Sequence, residues 1–282
     1  MINAISKPMR VTPLVMLHGL LGGPENWKTT IPYLPQTFEP VALRLPFFDN
    51  ENSLNSVIAV VDYVQNCLND MGVDRVVLMG NSLGGHIALL LSVQIPERVC
   101  GLVLTGSSGL FERSFSKIPG VRPAREWVYG KCCEVFHDIC HVTDVLVDSV
   151  MEVICDRRKA RILVQLAKSA KRDNIADKLK QITCPTLLVW GKQDQVTPSE
   201  VAEEFHSKIT NSVLVWLDKC GHTPMTEHPV EFSHEVACWW MRTLIDLSVH
   251  EEKKQTNHGA GLGVRNRCRG RDGSGGRPRL DR

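Results

Sequence analysis

The sequence has no apolar run of the ~18 residues needed to span a bilayer. Its first ten residues, Met1-Ile-Asn-Ala-Ile-Ser-Lys-Pro-Met-Arg10, hold no apolar core of signal-peptide length. These two absences predict a cytoplasmic protein with no membrane span. Aromatic residues are scarce, at 6% of 282, and no basic motif is interleaved with them, so no specific nucleic-acid partner is expected. Neither sign of charge dominates: 33 Lys and Arg face 31 Asp and Glu, for a net +2. Cysteine is plentiful at ten, yet no Cys-x-x-Cys pair occurs and no secretory signal precedes them. Reduced, mostly buried thiols are therefore expected rather than a disulfide framework. Cys132, Cys133, His137, Cys140 and His141 form one local group with ligand chemistry, but no second half-site accompanies it and no metal is expected.

What remains is ordinary for a globular protein: 43% hydrophobic and 23% charged residues, enough for one large core. Strand-like runs fall at residues 14–17, 41–45, 76–79, 102–104, 187–190 and 213–217. Helical patterns fall at 54–70, 82–94, 198–207 and 229–246. This alternation predicts an α/β fold, a mainly parallel sheet flanked by helices, with ligands at the carboxyl ends of the strands. From about 110 to 182 the alternation gives way to helix, with Val142, Val145, Leu146, Val150, Val153 and Ile154 on one face. The main domain is expected over 1–250. Residues 251–282 carry nine Lys and Arg against four Asp and Glu, with seven glycines, and read as a disordered basic tail.

Chemistry concentrates at Gly80-Asn-Ser-Leu-Gly-Gly85, between a strand and a helix. A Gly-x-Ser-x-Gly at that junction makes a sharp turn that presents the serine hydroxyl, here Ser82, as a nucleophile. A serine hydroxyl needs an imidazole to take its proton and a carboxylate to orient that imidazole. His222 follows the last strand-like run and Asp194 the one before it, giving the chain order Ser, Asp, His. Asp218 is the rival carboxylate. His18-Gly-Leu-Leu-Gly-Gly23 follows the first strand and can aim a backbone N–H at the same place. The amides of Leu20 and Leu83 are the expected oxyanion hole, each donor contributing ~3 kcal/mol to the transition state.

With these pieces in place, the chain resembles the α/β-hydrolase fold superfamily over roughly residues 12–248. Within it, the chain looks like the branch of carboxylesterases and meta-cleavage product (C–C bond) hydrolases. Met79-Gly-Asn-Ser-Leu-Gly-Gly85, Pro96-Glu-Arg-Val99, Leu104-Thr-Gly-Ser-Ser-Gly-Leu110 and Lys219-Cys-Gly-His222 carry the likeness. The resemblance implies that the 110–182 insertion is a helical cap placed after the sixth strand of the fold. Two departures separate the chain from the carbon–carbon hydrolases: Leu20-Leu-Gly-Gly23 stands where they have a Gly-Pro-rich loop, and Thr223 where they have tryptophan. An ester of a small or medium apolar acyl group is therefore the expected substrate, cleaved through an acyl-enzyme. Carbon–carbon cleavage is the alternative, and a ligand-sensing protein with slow turnover is a reading of another class.

No cofactor is expected, and the partner is a small-molecule substrate; the sequence leaves the oligomeric state open. Trp27 is a candidate for the acyl pocket or for packing, and Asn81 for substrate contact or for bracing the turn. Arg157 sits where the family's cap arginine would fork onto a substrate carboxylate, or is simply solvated. His18 is expected to be structural, His86 to lie one turn into the helix after Ser82, and His228 near a helix start at Pro229.

Overall fold

The computed structural model describes residues 11–49, 54–111 and 123–260. β1 (Thr12–Leu17) leads through two 3-10 turns, Pro24–Trp27 and Ile31–Tyr33, into β2 (Phe38–Leu43) and α1 (Val57–Asp70). Then come β3 (Val76–Asn81), α2 (Leu83–Gln94) and β4 (Val99–Thr105). Three helices intervene: α3 (Arg125–Cys133), α4 (Asp144–Cys155) and α5 (Arg157–Arg172). The chain closes with β5 (Thr186–Gly191), α6 (Ser199–Lys208), β6 (Ser212–Leu217), α7 (Pro224–Glu227) and α8 (Pro229–Ala260).

The six strands pair in the order β2-β1-β3-β4-β5-β6, every pair parallel. Helices on both faces explain why β3 and β5 are buried at all six positions and read as unbroken apolar runs. The order reverses between β1 and β3, and a crevice opens at such a switch point beyond the strand ends. Ser82 follows β3 and the His18-Gly19 turn follows β1, so the topology alone puts both at that crevice. α1 begins where Ser56 Oγ accepts from Ala59 N at 3.2 Å, and it buries Val57, Val60, Val61, Val64 and Leu68 as a single stripe. α2 is buried on every side from Leu83 to Ser92, which is why it shows no amphipathic pattern.

The helical stretch between β4 and β5 falls in the expected interval and divides in two. α5 sends Ile162, Leu166 and Ala170 into the main core, and its Ser169 Oγ accepts from Val57 N at 2.9 Å. α3 and α4 instead pack on each other through Val128, Cys132, Val147 and Val150, with Val142 beside them. Of the cysteine–histidine group, Cys132 thus belongs to this packing, where burial pushes its thiol up to about 11. Cys140 and His141 lie apart from it on a 3-10 turn with Asp138, their potential ligand atoms within 4.8 Å of one another.

The chain divides into two compact units, Met1–Trp240 and Met241–Arg282. α8 is helical to Ala260, ten residues into the segment expected to be disordered from Glu251. Glu251-Glu-Lys-Lys254 are strong helix formers, and propensity carries the helix through a stretch with no apolar face. The rest of the tail, 261–282, lies outside the described residues. Among the described residues, no helix is long and apolar enough to cross a membrane.

Candidate active site

Ser82 sits at φ 54° and ψ −121°, a backbone state that costs a non-glycine residue about 1–3 kcal/mol. The surroundings hold it there. Ser82 N–H donates to Thr105 O at 3.2 Å, and Ser82 C=O accepts from Ser108 N at 3.0 Å as well as from Gly85 N and His86 N. The flanking glycines are dictated by close approach. A Cβ at Gly80 would come within 2.5 Å of the Gly84 carbonyl carbon, and one at Gly84 would run into Leu17 O. Although Ser82 occupies the N-cap position of α2, its hydroxyl makes no capping bond, so it remains available for chemistry.

Asp194 and His222 meet as the sequence pattern requires. Asp194 Oδ2 lies 2.9 Å from His222 Nδ1, with both side chains almost wholly buried. A buried carboxylate must have its lone pairs satisfied, and this one does. Oδ1 accepts from Val196 N at 2.8 Å and Thr197 N at 2.9 Å, while Oδ2 also accepts from Thr197 Oγ1 at 2.8 Å. Asp194 accordingly accepts a hydrogen bond from His222 Nδ1–H, which leaves Nε2 with the lone pair that a general base uses. The rival, Asp218, is tied on the surface to Gln193 Nε2 at 3.2 Å and to Lys192 at 3.8 Å. Gln193 first, then Lys192, holds its carboxyl below the usual range.

Backbone contacts fix the imidazole from several sides. Gly106 has φ +51°, and a Cβ there would lie 2.7 Å from His222 Nδ1, so the ring rests directly on that glycine. His222 C=O accepts from Asn81 Nδ2 at 3.0 Å, and the same amide donates to Thr105 O at 3.0 Å. Asn81 therefore braces the elbow to the histidine loop with both of its N–H groups. His222 N–H donates to Val135 O at 2.7 Å, a contact from the α3–α4 segment.

The two amides expected as oxyanion donors, Leu20 and Leu83, both border the Ser82 turn. Leu83 N–H is the first of α2, with no intrahelical partner by geometry, and the helix dipole points its positive end there. Neither it nor Leu20 N–H donates to a protein group among the described residues. Gly19 approaches closely enough that its Cβ would lie 3.1 Å from Ser82 Cβ, which brings the Leu20 turn against the elbow.

The remaining candidates have other surroundings. Trp27 is wholly buried and packs against Phe232 at 6.5 Å between centroids. Arg157 is exposed at the start of α5. His18 links two loops, Nδ1–H donating to Gly19 O at 2.8 Å and Nε2 accepting from Leu45 N at 3.0 Å. That bonding requires a neutral ring, and burial lowers its pKa accordingly. His86 is fully buried, donates Nε2–H to Asp173 O at 3.0 Å, and is driven by burial to a pKa of about 4. His228 Nε2–H donates to Lys219 O at 3.0 Å, just before α8.

Sequence reasoning missed three contributors. Thr197 clasps Asp194 and stands 3.3 Å from His222 Nδ1. Gly106 forms the floor under the ring, and its only signal was the Thr105-Gly-Ser-Ser108 run after β4. Val135 lies 87 residues from His222 in sequence, and no pattern joins the two.

The family model for the alpha/beta hydrolase family matches residues 14–235. A 2-hydroxy-6-oxononadienedioate/2-hydroxy-6-oxononatrienedioate hydrolase of Pseudomonas putida is 26% identical, covering 79% of this chain and 86% of that protein. The monoacylglycerol lipase ABHD6 of Mus musculus is 24% identical over 79% of this chain and 74% of its own. Among solved structures, MGS-MChE2, an alpha/beta hydrolase enzyme from the metagenome of lagoon sediments at Mar Chica, Morocco, superposes with a TM-score of 0.67. It is 37% identical and covers 82% of this chain and 91% of its own. With a buried acid–histidine pair and a strained serine turn both following the carboxyl ends of strands, and with these likenesses, the chain belongs to the alpha/beta hydrolase family and is a hydrolase.

Proposed function

We propose that this hydrolase cleaves carboxylic esters of small or medium apolar acyl groups through an acyl-enzyme on Ser82. His222 removes the Ser82 proton as the oxygen attacks the ester carbonyl, and Asp194 stabilises the imidazolium that forms. The amides of Leu20 and Leu83 receive the developing oxyanion. The imidazolium then protonates the departing alkoxide. A water activated by His222 hydrolyses the acyl-enzyme and restores the serine. This sequence of steps calls on no cofactor. The helices α3–α5 act as the cap that shapes the substrate pocket.

The observation that carries this reading is the buried Asp194–His222 pair together with two backbone N–H groups at the Ser82 turn that have no acceptor among the described residues. A second reading, carbon–carbon hydrolysis, draws on the Pseudomonas putida relative. The exposed position of Arg157 argues for the ester, because the forked contact to a substrate carboxylate needs an arginine turned toward the site. Asn81 braces the loops under this reading, and Trp27 packs beneath them.

The test is turnover of p-nitrophenyl esters from acetate to octanoate by wild type and Ser82→Ala, with a meta-cleavage dienoate alongside. Ester turnover lost in Ser82→Ala, with the dienoate untouched, is the expected result. Fast dienoate cleavage would transfer the assignment to carbon–carbon hydrolysis. Equal activity of mutant and wild type on every ester would remove Ser82 from the mechanism.

A further inference from the structure

Glu227 ends α7, five residues after His222, and its carboxylate faces three backbone donors from two separate regions. Oε1 accepts from Gly221 N at 2.8 Å. Oε2 accepts from His137 N at 2.7 Å and Asp138 N at 3.1 Å. One side chain thus joins the residue before His222 to the turn between α3 and α4. The adjoining backbone continues the seam. His222 N–H donates to Val135 O at 2.7 Å, and a Cβ at Gly221 would come within 2.6 Å of that same oxygen and 2.8 Å of His137 N.

Both backbone polar groups of His222 are therefore held, the C=O by Asn81 and the N–H by Val135. The Asn81 side is anchored in the sheet through Thr105 O. The Val135 side belongs to a connecting segment, and a short segment between helices is fixed only by what it bonds to. Glu227 supplies those bonds on the next two residues but one, His137 and Asp138, while gripping Gly221 with its other oxygen. A carboxylate suits this place because it can accept on both oxygens. Glutamine offers one acceptor, and its NH2 would oppose an N–H on the other side.

We propose that Glu227 is a positioning residue for His222. It clamps segment 135–138 of the insert to the Gly221–His222 loop, so that cap placement and general-base alignment are one structural event. Glu227 touches no reacting atom. The proposal rests on His222 serving as the base at Ser82.

The experiment compares wild type, Glu227→Gln, Glu227→Ala and Ser82→Ala, reading kcat and KM on p-nitrophenyl butyrate and thermal melting. In parallel, proton NMR follows the far-downfield resonance of a histidine Nδ1–H bonded to a carboxylate. Displacement of a catalytic group by about an ångström costs up to about 10²-fold, so kcat should fall about 10-fold in Glu227→Gln and towards 10²-fold in Glu227→Ala. KM should stay within about two-fold, and the downfield resonance should broaden or vanish in both while persisting in Ser82→Ala. A folded Glu227→Gln with native kcat and a native resonance would overturn the proposal. So would a rise in KM at constant kcat, which would make Glu227 a substrate-binding residue. Should Glu227→Ala fail to fold, Glu227→Gln decides alone. Should wild type turn over no ester, the functional reading fails, while the resonance still tests the clamp.

Discussion

The loops at the carboxyl ends of the strands and the helical insert between β4 and β5 handle their polar groups in opposite ways. Around Asp194 and His222, each carboxylate oxygen and each histidine backbone group has a named partner inside the protein. Along the insert, the charged groups pair at the surface: Arg125 with Asp144 and Asp148, Lys159 with Glu152. Buried, fully bonded groups are costly to disturb, whereas exposed ion pairs contribute little and tolerate change. The reacting geometry is thus a property of the sheet, its loops and the insert's segment 135–138, and the exposed surface of the insert is free to vary around them. The seam at Val135–Asp138 is where the two regimes meet.

That contrast is broken most severely by removing the chemistry itself. Ser82→Ala should lower ester kcat/KM by ~10⁴-fold or more with the melting temperature nearly unchanged, measured by steady-state kinetics beside calorimetry. A loss under tenfold would end the account. Asp194→Asn keeps the volume but changes which imidazole nitrogen carries the proton, and kcat should fall by ~10³- to 10⁴-fold.

A buried histidine that performs no chemistry sharpens the contrast on the stability side. His86 titrates near 4 in the folded state against an ordinary value of 6.5, so the unfolded chain binds more protons between those limits. Its contribution is complete above pH 6.5, declines as pH falls, and is lost below about 4. The span corresponds to about 3 kcal/mol. Urea unfolding at pH 7 and pH 4.5 should show wild type losing more stability than His86→Gln, which keeps a donor for Asp173 O but does not titrate. Equal losses would mean that the ring is not held neutral by burial.

The smallest effect belongs to the insert surface. Arg125→Ala removes exposed ion pairs and should cost less than about 1 kcal/mol in unfolding free energy, with ester kcat/KM unchanged. A large loss of activity there would show that the insert's surface, and not only its seam, governs the site.

Much of this was legible in the sequence because it depends on local pattern. The strands show as short apolar runs, clearest in β3 and β5, which are buried throughout, and weakest in β2, which exposes Glu39 and Pro40. Gly80-x-Ser82-x-Gly84 is visible because close backbone approach restricts the residue type. Asp194 and His222 could be found because each follows a strand directly. Contacts made across the chain left no comparable trace. Glu227 reads as an ordinary acid beside a helix start, and Val135 contributes only a carbonyl, which every residue has. Asn81 and Trp27 show the limit of identity alone: both residue types suit a pocket, while the structure has Asn81 bonded to Thr105 and His222 and Trp27 packed against Phe232. The helix past Glu251 leaves little trace in the hydrophobic pattern, because Glu251-Glu-Lys-Lys254 favour helix by propensity alone.

The most direct measurement is mass spectrometry of enzyme quenched during turnover of p-nitrophenyl butyrate, followed by peptide mapping. A butyryl adduct is expected on the peptide containing Ser82, absent from Ser82→Ala. An adduct on another residue, or efficient turnover without any adduct, would contradict it.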